Sequence, residues 1–217
     1  MFSTSMSWHD LGFVLQGAGV TLAVTFWAIL LGTVLGMLFG LIRAVSPWWI
    51  AAPLGVVLDV PRSVPLLIQL VIINSFKSII GVNASPFVVS CVVLGIYASA
   101  YCSEIVRGGI LAVPTTTRRA ARSLGMTYWQ DLKEIVFPMA LRVMLPSWIG
   151  LTLGVMKDTA LVLWIGIIEL LRASQIIVTR IQEPLFVLTV AGLIYFAMSF
   201  PIARLGAWLE KRWQEND

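Results

Sequence analysis

Residues 17–42 contain no charged side chain, and this restricts the possible folds more than any other feature of the chain. As a helix the stretch is about 39 Å long, which exceeds the ~30 Å hydrocarbon core of a bilayer. Arg43 follows at once and marks the end of the stretch. We therefore predict a retained helix that crosses a membrane with some tilt.

Four further apolar segments follow, at about 49–74, 86–110, 143–171 and 184–209. Apolar residues make up 59% of the chain and charged residues only 12%, whereas a soluble domain carries about 25% charged side chains. This composition indicates a polytopic membrane protein. We predict one all-α transmembrane domain over residues 1–217 with five spans, the second of them broken where Pro61 and Pro65 bracket Arg62.

Positive charges are distributed unevenly between the segments. The loops on one side carry most of the lysines and arginines, namely Arg43, Arg118, Arg119, Arg122, Lys133, Arg142, Lys211 and Arg212. The loops on the other side carry Lys77, Arg172 and Arg180. Because short loops rich in Lys and Arg remain in the cytoplasm, we predict that the N-terminus lies outside and that the 112–142 loop and the C-terminus are cytoplasmic.

The stretch from residue 112 to Pro138 is basic and polar and separates two apolar segments. Residues 117–124 predict a short helix that Gly125 ends. Thr127 and Gln130 have the spacing of a capping box and open a second helix, which we expect Pro138 to close. Its apolar stripe consists of Trp129, Leu132, Ile135 and Val136. Two uses remain open for this helical hairpin: docking of a soluble partner, or contact with lipid headgroups alone.

Four blocks of sequence resemble the permease subunits of type I ATP-binding-cassette (ABC) importers, in the group that takes up polar amino acids. The hairpin is similar to their "EAA" signature, with Arg119-Ala120-Ala121, Gly125, Ile135 and Pro138 at the signature positions. The other three blocks are residues 61–69, 101–110 and 157–161. The resemblance implies the five-helix permease fold of these importers and a place in a bacterial inner membrane.

This resemblance also implies several partners for the chain. They are two cytoplasmic ATPase subunits, a second permease copy or paralogue, a periplasmic binding protein and an amino acid substrate. The implied coupling residues are Arg119, Ala120, Ala121, Gly125, Trp129, Ile135 and Pro138, of which the small ones would permit close approach to the ATPase. The signature glutamate is replaced by Arg119. One hypothesis is that the chain pairs with a different permease that carries the glutamate.

Asp59, Arg62, Lys157 and Asp158 lie inside apolar segments, where each charge costs about 2.5–3.5 kcal/mol on insertion scales. Mutual pairing that joins the second segment to the fourth would explain them. The other explanation is a substrate site for a zwitterion. Arg62 would bind the α-carboxylate, Asp158 would accept from the α-ammonium group, and Ser63 and Thr159 would supply neutral hydrogen bonds.

Two further pairs and one row of small residues predict structural roles. Glu104 and Arg107, and likewise Glu169 and Arg172, stand three residues apart on one helix face. We expect a structural ion pair at the first position and a contact at the outer rim at the second. Glycines recur every four residues in the first segment, at Gly32, Gly36 and Gly40, which indicates close packing against another helix.

No residue pattern supports catalysis by this chain. His9 is the sole histidine, and the sequence has no phosphate-binding loop of the G-x-x-x-x-G-K-[ST] type. We therefore expect no metal or cofactor here, with ATP and magnesium held by the partner ATPase. The net charge of +4 does not indicate nucleic-acid binding, because the cations cluster in loops.

The sequence thus predicts a permease subunit that carries a polar amino acid across the membrane and is coupled to the ATPase through about residues 115–137. The alternative is a structural half of a heteromeric permease that binds no substrate itself. A membrane enzyme has almost no residue support. A stand-alone channel is disfavoured, because five spans leave only a small pore and give the hairpin no purpose.

Overall fold

The computed structural model describes residues 6–214, which form helices and short connections with no strand among them. The α-helices are α1 (Trp8–Val45), α2 (Trp48–Ser63), α3 (Leu66–Ile79), α4 (Pro86–Leu111), α5 (Thr115–Ser123), α6 (Tyr128–Gln130), α7 (Phe137–Asp158), α8 (Leu170–Ile181) and α9 (Pro184–Gln214). A π-helix, Asp131–Val136, joins α6 to α7, and a 3-10 helix, Thr159–Ile165, follows α7.

Four stretches in this part of the chain are long and apolar enough to cross a membrane: Trp8–Val45, Pro86–Leu111, Tyr128–Ile165 and Pro184–Trp213. The pair α2 and α3 makes a fifth span if the two helices count as one. The all-α fold and the membrane-spanning helices predicted from the sequence are therefore confirmed. The predicted domain bounds include residues 1–5 and 215–217, which lie outside the described residues.

Helix α1 packs against α4 through its row of glycines. A Cβ atom added at Gly36 would lie 2.4 Å from the Cβ of Cys102, and one added at Gly32 or Gly40 would lie 2.6 Å from a Cβ of α4. Real Cβ atoms do not approach so closely, so only glycine permits this spacing of the two helices. The close packing predicted for this row is confirmed.

The second predicted span is broken, as expected from its prolines. Helices α2 and α3 meet at 96°, and Val64 and Pro65 form the junction between them. The Gln69 side chain spans this junction, because its Nε2 donates to the carbonyl oxygens of Pro61 at 2.8 Å and Val64 at 2.7 Å. Both carbonyls would otherwise lack a helical partner at the break.

The fourth predicted span, residues 143–171, is wrong at both ends. Helix α7 begins at Phe137 and is continuous with the π-helix before it, so Pro138 does not end the hairpin. A proline ring clashes with the carbonyl four residues earlier in a regular α-helix. The π-helix covers that position and widens the turn there, which allows the chain to continue.

At the other end, Gly166 adopts φ +91° and terminates the 3-10 helix. A separate helix, α8, then begins at Leu170. Glu169 is fully buried at its N-cap and accepts from the backbone N–H groups of Leu171 and Arg172, both at 2.7 Å. The rim contact predicted between the Glu169 and Arg172 side chains is therefore wrong, because the carboxylate caps α8 instead.

Candidate functional site

A small cavity of about 130 Å³ lies between α4 and α7, and it is lined by Tyr97, Tyr101, Leu151, Gly154, Val155 and Asp158. Tyr97 and Tyr101 are one helical turn apart on α4, with ring centroids 4.9 Å from each other. Gly154 leaves the α7 side open, since a Cβ there would meet no atom within 4 Å. The cavity therefore combines two phenol groups with one carboxylate.

Asp158 is the last residue of α7 and is half-buried. Its carboxylate makes no hydrogen bond and no ion pair with any residue in the described part of the chain. Lys157 beside it is exposed. A carboxylate without a partner inside an apolar span is costly. Because no side chain of the described residues occupies it, the Asp158 carboxylate can accept hydrogen bonds from a cationic group that enters the cavity.

Neither of the two predicted hydroxyl ligands lines this cavity. Thr159 is fully buried, and its hydroxyl donates to the carbonyl oxygen of Met156 at 2.7 Å. Ser63 is exposed at the end of α2. Of the four predicted substrate-binding residues, only Asp158 contributes to the lining of the cavity.

Arg62 lies beside the cavity. Its Nη1 is 3.0 Å from Asp59 Oδ1 and 3.3 Å from Glu104 Oε1. The Cζ atom lies 5.4 Å from the ring centroid of Tyr101, and Tyr101 in turn lines the cavity that contains Asp158. Tyr101 is therefore a common neighbour: it contacts Arg62 and lines the cavity that contains Asp158.

The four embedded charges do not pair between the second and fourth apolar segments, as one of the two predictions had it. Arg62 pairs within its own helix and with α4, and no ion pair between α2 and α7 occurs among residues 6–214. The predicted Glu104–Arg107 pair is present, with Arg107 Nη2 2.9 Å from Glu104 Oε2. Sequence reasoning missed that Glu104 also accepts from Arg43 at 2.7 Å, although Arg43 directly follows an apolar span.

The hairpin begins as the sequence predicts. Gly125 has φ +86°, and the N–H groups of Gly125 and Met126 bond to the carbonyls of Arg122 and Ala121 at the end of α5. Thr127 and Gln130 form the expected capping box at the start of α6. Both turn predictions are confirmed.

A buried ion pair that the sequence analysis missed fixes the two arms of the hairpin to each other. Asp131 is fully buried, and Arg118 binds its Oδ2 through Nε and Nη2, both at 3.0 Å. Arg122 Nη2 lies 3.9 Å from the same oxygen. The spacing of Arg118 and Asp131 across a turn was the signal that could have revealed the pair.

The proposed coupling residues divide between two sides of the hairpin. Arg119, Ala120, Gly125 and Pro138 are exposed, whereas Ala121 is buried and Ile135 is half-buried. Trp129 is 73% exposed while Val136 is fully buried, so the predicted single apolar stripe is wrong. The π-helix alters the residue spacing between them. Leu124, at 86% exposure, and Trp129 give the hairpin an apolar outer surface.

Comparisons with known proteins agree with these features. The family described as "Binding-protein-dependent transport system inner membrane component" matches residues 32–215. A probable glutamine ABC transporter permease, GlnP of Bacillus subtilis, is 33% identical over 218 residues, which cover 97% of this chain and 98% of the relative. The octopine transport system permease OccM of Rhizobium meliloti is 31% identical, with 99% and 92% covered.

Solved structures show the same architecture. A crystal structure of an amino acid ABC transporter with histidines superposes with a TM-score of 0.85 at 29% identity, over 96% of this chain and 99% of that chain. An inward-facing MetNI methionine ABC transporter gives a TM-score of 0.77 at 20% identity, over 94% and 99%. The second likeness shows that the fold is shared.

Proposed function

This chain belongs to the binding-protein-dependent transport system inner membrane components, as a permease of the amino-acid ABC transporter type, and we propose that it imports a polar amino acid. A periplasmic binding protein delivers the substrate to the outer end of the permease in a bacterial inner membrane. Two ATPase subunits act on the cytoplasmic hairpin, and a second permease copy or paralogue completes the pathway. The substrate is not chemically changed.

The observation that carries this proposal is the unpaired carboxylate of Asp158 in a cavity between two membrane-spanning helices. An α-ammonium group entering the cavity would meet this carboxylate and the hydroxyls of Tyr97 and Tyr101. The carboxylate of the same substrate would then bind Arg62, which lies beside the Tyr101 ring. Charged groups of both signs beside the same tyrosine suit a zwitterion.

Coupling to ATP hydrolysis would run through the hairpin. Leu124 and Trp129 offer exposed apolar contacts to a cleft on the ATPase, while Arg118 and Asp131 keep the hairpin in one shape. ATP and magnesium are bound by the ATPase subunits. Arg119 would meet this partner in place of the signature glutamate.

The hairpin and the cavity are joined by one helical path, which supports a direct mechanical link. From α6 the chain continues through the π-helix into α7, whose 22 residues span about 33 Å and end at Asp158. A push on the hairpin as the ATPase subunits close would therefore be transmitted along α7 to the cavity. The permease then alternates between outward and inward openings.

Binding of labelled amino acids to the purified permease–ATPase complex tests this function. We expect one of the twenty standard amino acids to bind, and Asp158→Asn to weaken its binding roughly ten- to hundredfold, because a charge-assisted hydrogen bond contributes about 1.5–3 kcal/mol. Glu183→Gln, an exposed acid away from the cavity, is the control and should bind normally.

Equal binding by the wild-type and Asp158→Asn complexes would contradict the assignment of this site. If neither complex bound an amino acid although both assembled with the ATPase, the structural half of a heteromeric permease would become the better account. The arginine at position 119 favours that second candidate, since it departs from the signature of the family.

A further inference from the structure

The Glu104 carboxylate lies among three arginines that come from three helices. Its Oε1 accepts from Arg43 Nη1 at 2.7 Å and from Arg62 Nη1 at 3.3 Å, and its Oε2 accepts from Arg107 Nη2 at 2.9 Å. Arg43 is the most buried of the three, with its side chain 11% exposed. If Arg62 moved away, Glu104 would keep two arginines and would not become an unpaired buried charge.

Arg62 is attached to its two acidic partners by a single nitrogen. Nη1 lies at 3.0 Å from Asp59 and at 3.3 Å from Glu104, while Nε is buried and has no partner among residues 6–214. A guanidinium group holds a carboxylate most firmly with two parallel N–H bonds. Neither of the present contacts has that form, so Arg62 retains an unused capacity for two-point binding of a carboxylate.

The position of Arg62 connects this capacity to the cavity. Its guanidinium group lies over the Tyr101 ring, and the same ring lines the cavity with Asp158. In the proposed binding mode, a substrate held at Asp158 by its ammonium group places its carboxylate on this guanidinium group, which two protein carboxylates already neutralise. The substrate carboxylate therefore competes with the carboxylates of Asp59 and Glu104 for Arg62.

Resting on the proposed function, we propose that Glu104 is a positioning residue that holds Arg62 until the carboxylate of the substrate replaces it. Arg62 exchanges a one-nitrogen contact with Glu104 for a two-point contact with the substrate. Glu104 remains compensated by Arg43 and Arg107. The exchange releases a contact between α2 and α4 at the broken span, so that only a substrate with a free carboxylate loosens this junction.

The test compares the binding of two probes to the purified permease–ATPase complex. One is the standard amino acid that the wild-type complex binds most tightly, and the other is its α-carboxamide, which lacks the negative charge. Glu104→Gln removes the competing charge at nearly unchanged volume. We expect this variant to bind the amino acid roughly three- to tenfold more tightly and the carboxamide as the wild type does. Glu183→Gln should change neither affinity.

Asp59→Asn provides a second, independent variant in case the Arg43 and Arg107 side chains require Glu104 for folding. Asp59 is 58% exposed, so removing its charge should also tighten binding of the amino acid relative to the carboxamide, but by a smaller factor. Weaker binding of the amino acid by both variants, or an equal change for both probes, would overturn the inference. Absence of binding to the wild-type complex would instead refute the proposed function on which it rests.

Discussion

The acidic side chains within this chain differ in whether they have partners, and that difference separates structural residues from the candidate binding residue. Glu169 caps a helix with two backbone N–H groups, and Asp131 is held by Arg118. Glu104 has three arginines around it. Asp158 alone among these four lacks any such partner within the described residues. A carboxylate in that state inside a membrane span is a functional candidate.

Asp131 is fully buried and joins the two arms of the hairpin through Arg118. Asp131→Asn should loosen the hairpin and raise amide hydrogen exchange across α5 roughly tenfold or more, since a hydrogen bond to a charged group contributes about 1.5–3 kcal/mol. Co-purification of the ATPase subunits should fall in parallel.

Glu134→Gln is the matched control for this measurement. Glu134 lies in the same hairpin, is 59% exposed and forms an ion pair only with its neighbour Lys133 among residues 6–214, so its loss should leave hydrogen exchange unchanged. Equal protection of α5 in the wild type and in Asp131→Asn would show that the buried pair does not organise the hairpin.

At the scale of elements, the sequence reveals those features that depend on nearby residues. The glycine row of α1, the break at Pro65 and the two turns of the hairpin follow from spacing and backbone chemistry, and all are present. Helix α8 was missed because the apolar run continues past Gly166, where a left-handed backbone ends the helix. The π-helix was missed because Pro138 is an ordinary stop signal unless the preceding turn widens.

The contact between α1 and α4 depends on the glycine row. Gly36→Ala should lower the thermal stability of the permease, because its new Cβ would lie 2.4 Å from the Cβ of Cys102, and such overpacking costs about 1–3 kcal/mol. Gly19→Ala is the control in the same helix, where a Cβ meets nothing within 4 Å. That change should be neutral or slightly stabilising.

Thermal unfolding of the two detergent-solubilised variants, followed by light scattering or intrinsic tryptophan fluorescence, would measure this difference. A melting temperature for Gly36→Ala equal to that of Gly19→Ala would mean that the two helices can separate without loss. The small-residue row would then not determine their packing.

In the whole molecule, the fold places an unpaired acid at the end of α7, beside the middle of α4, and the hairpin at the other end of the same helical path. Sequence motifs identify the family, but not the Glu104 cluster or Tyr101 as the common neighbour of Arg62 and the Asp158 cavity. Those depend on contacts between α1, α2, α4 and α7, which are distant in sequence. Local periodicity carries no information about them.

We propose that closure of an ATPase on the hairpin drives an amino acid through this permease. This coupling is measured by uptake of the labelled amino acid into proteoliposomes that contain the permease, its ATPase and its binding protein. We predict that uptake requires ATP and its hydrolysis, and that the uptake rate falls at least tenfold with Asp158→Asn. Uptake at the same rate without ATP would contradict the account and indicate a passive pathway.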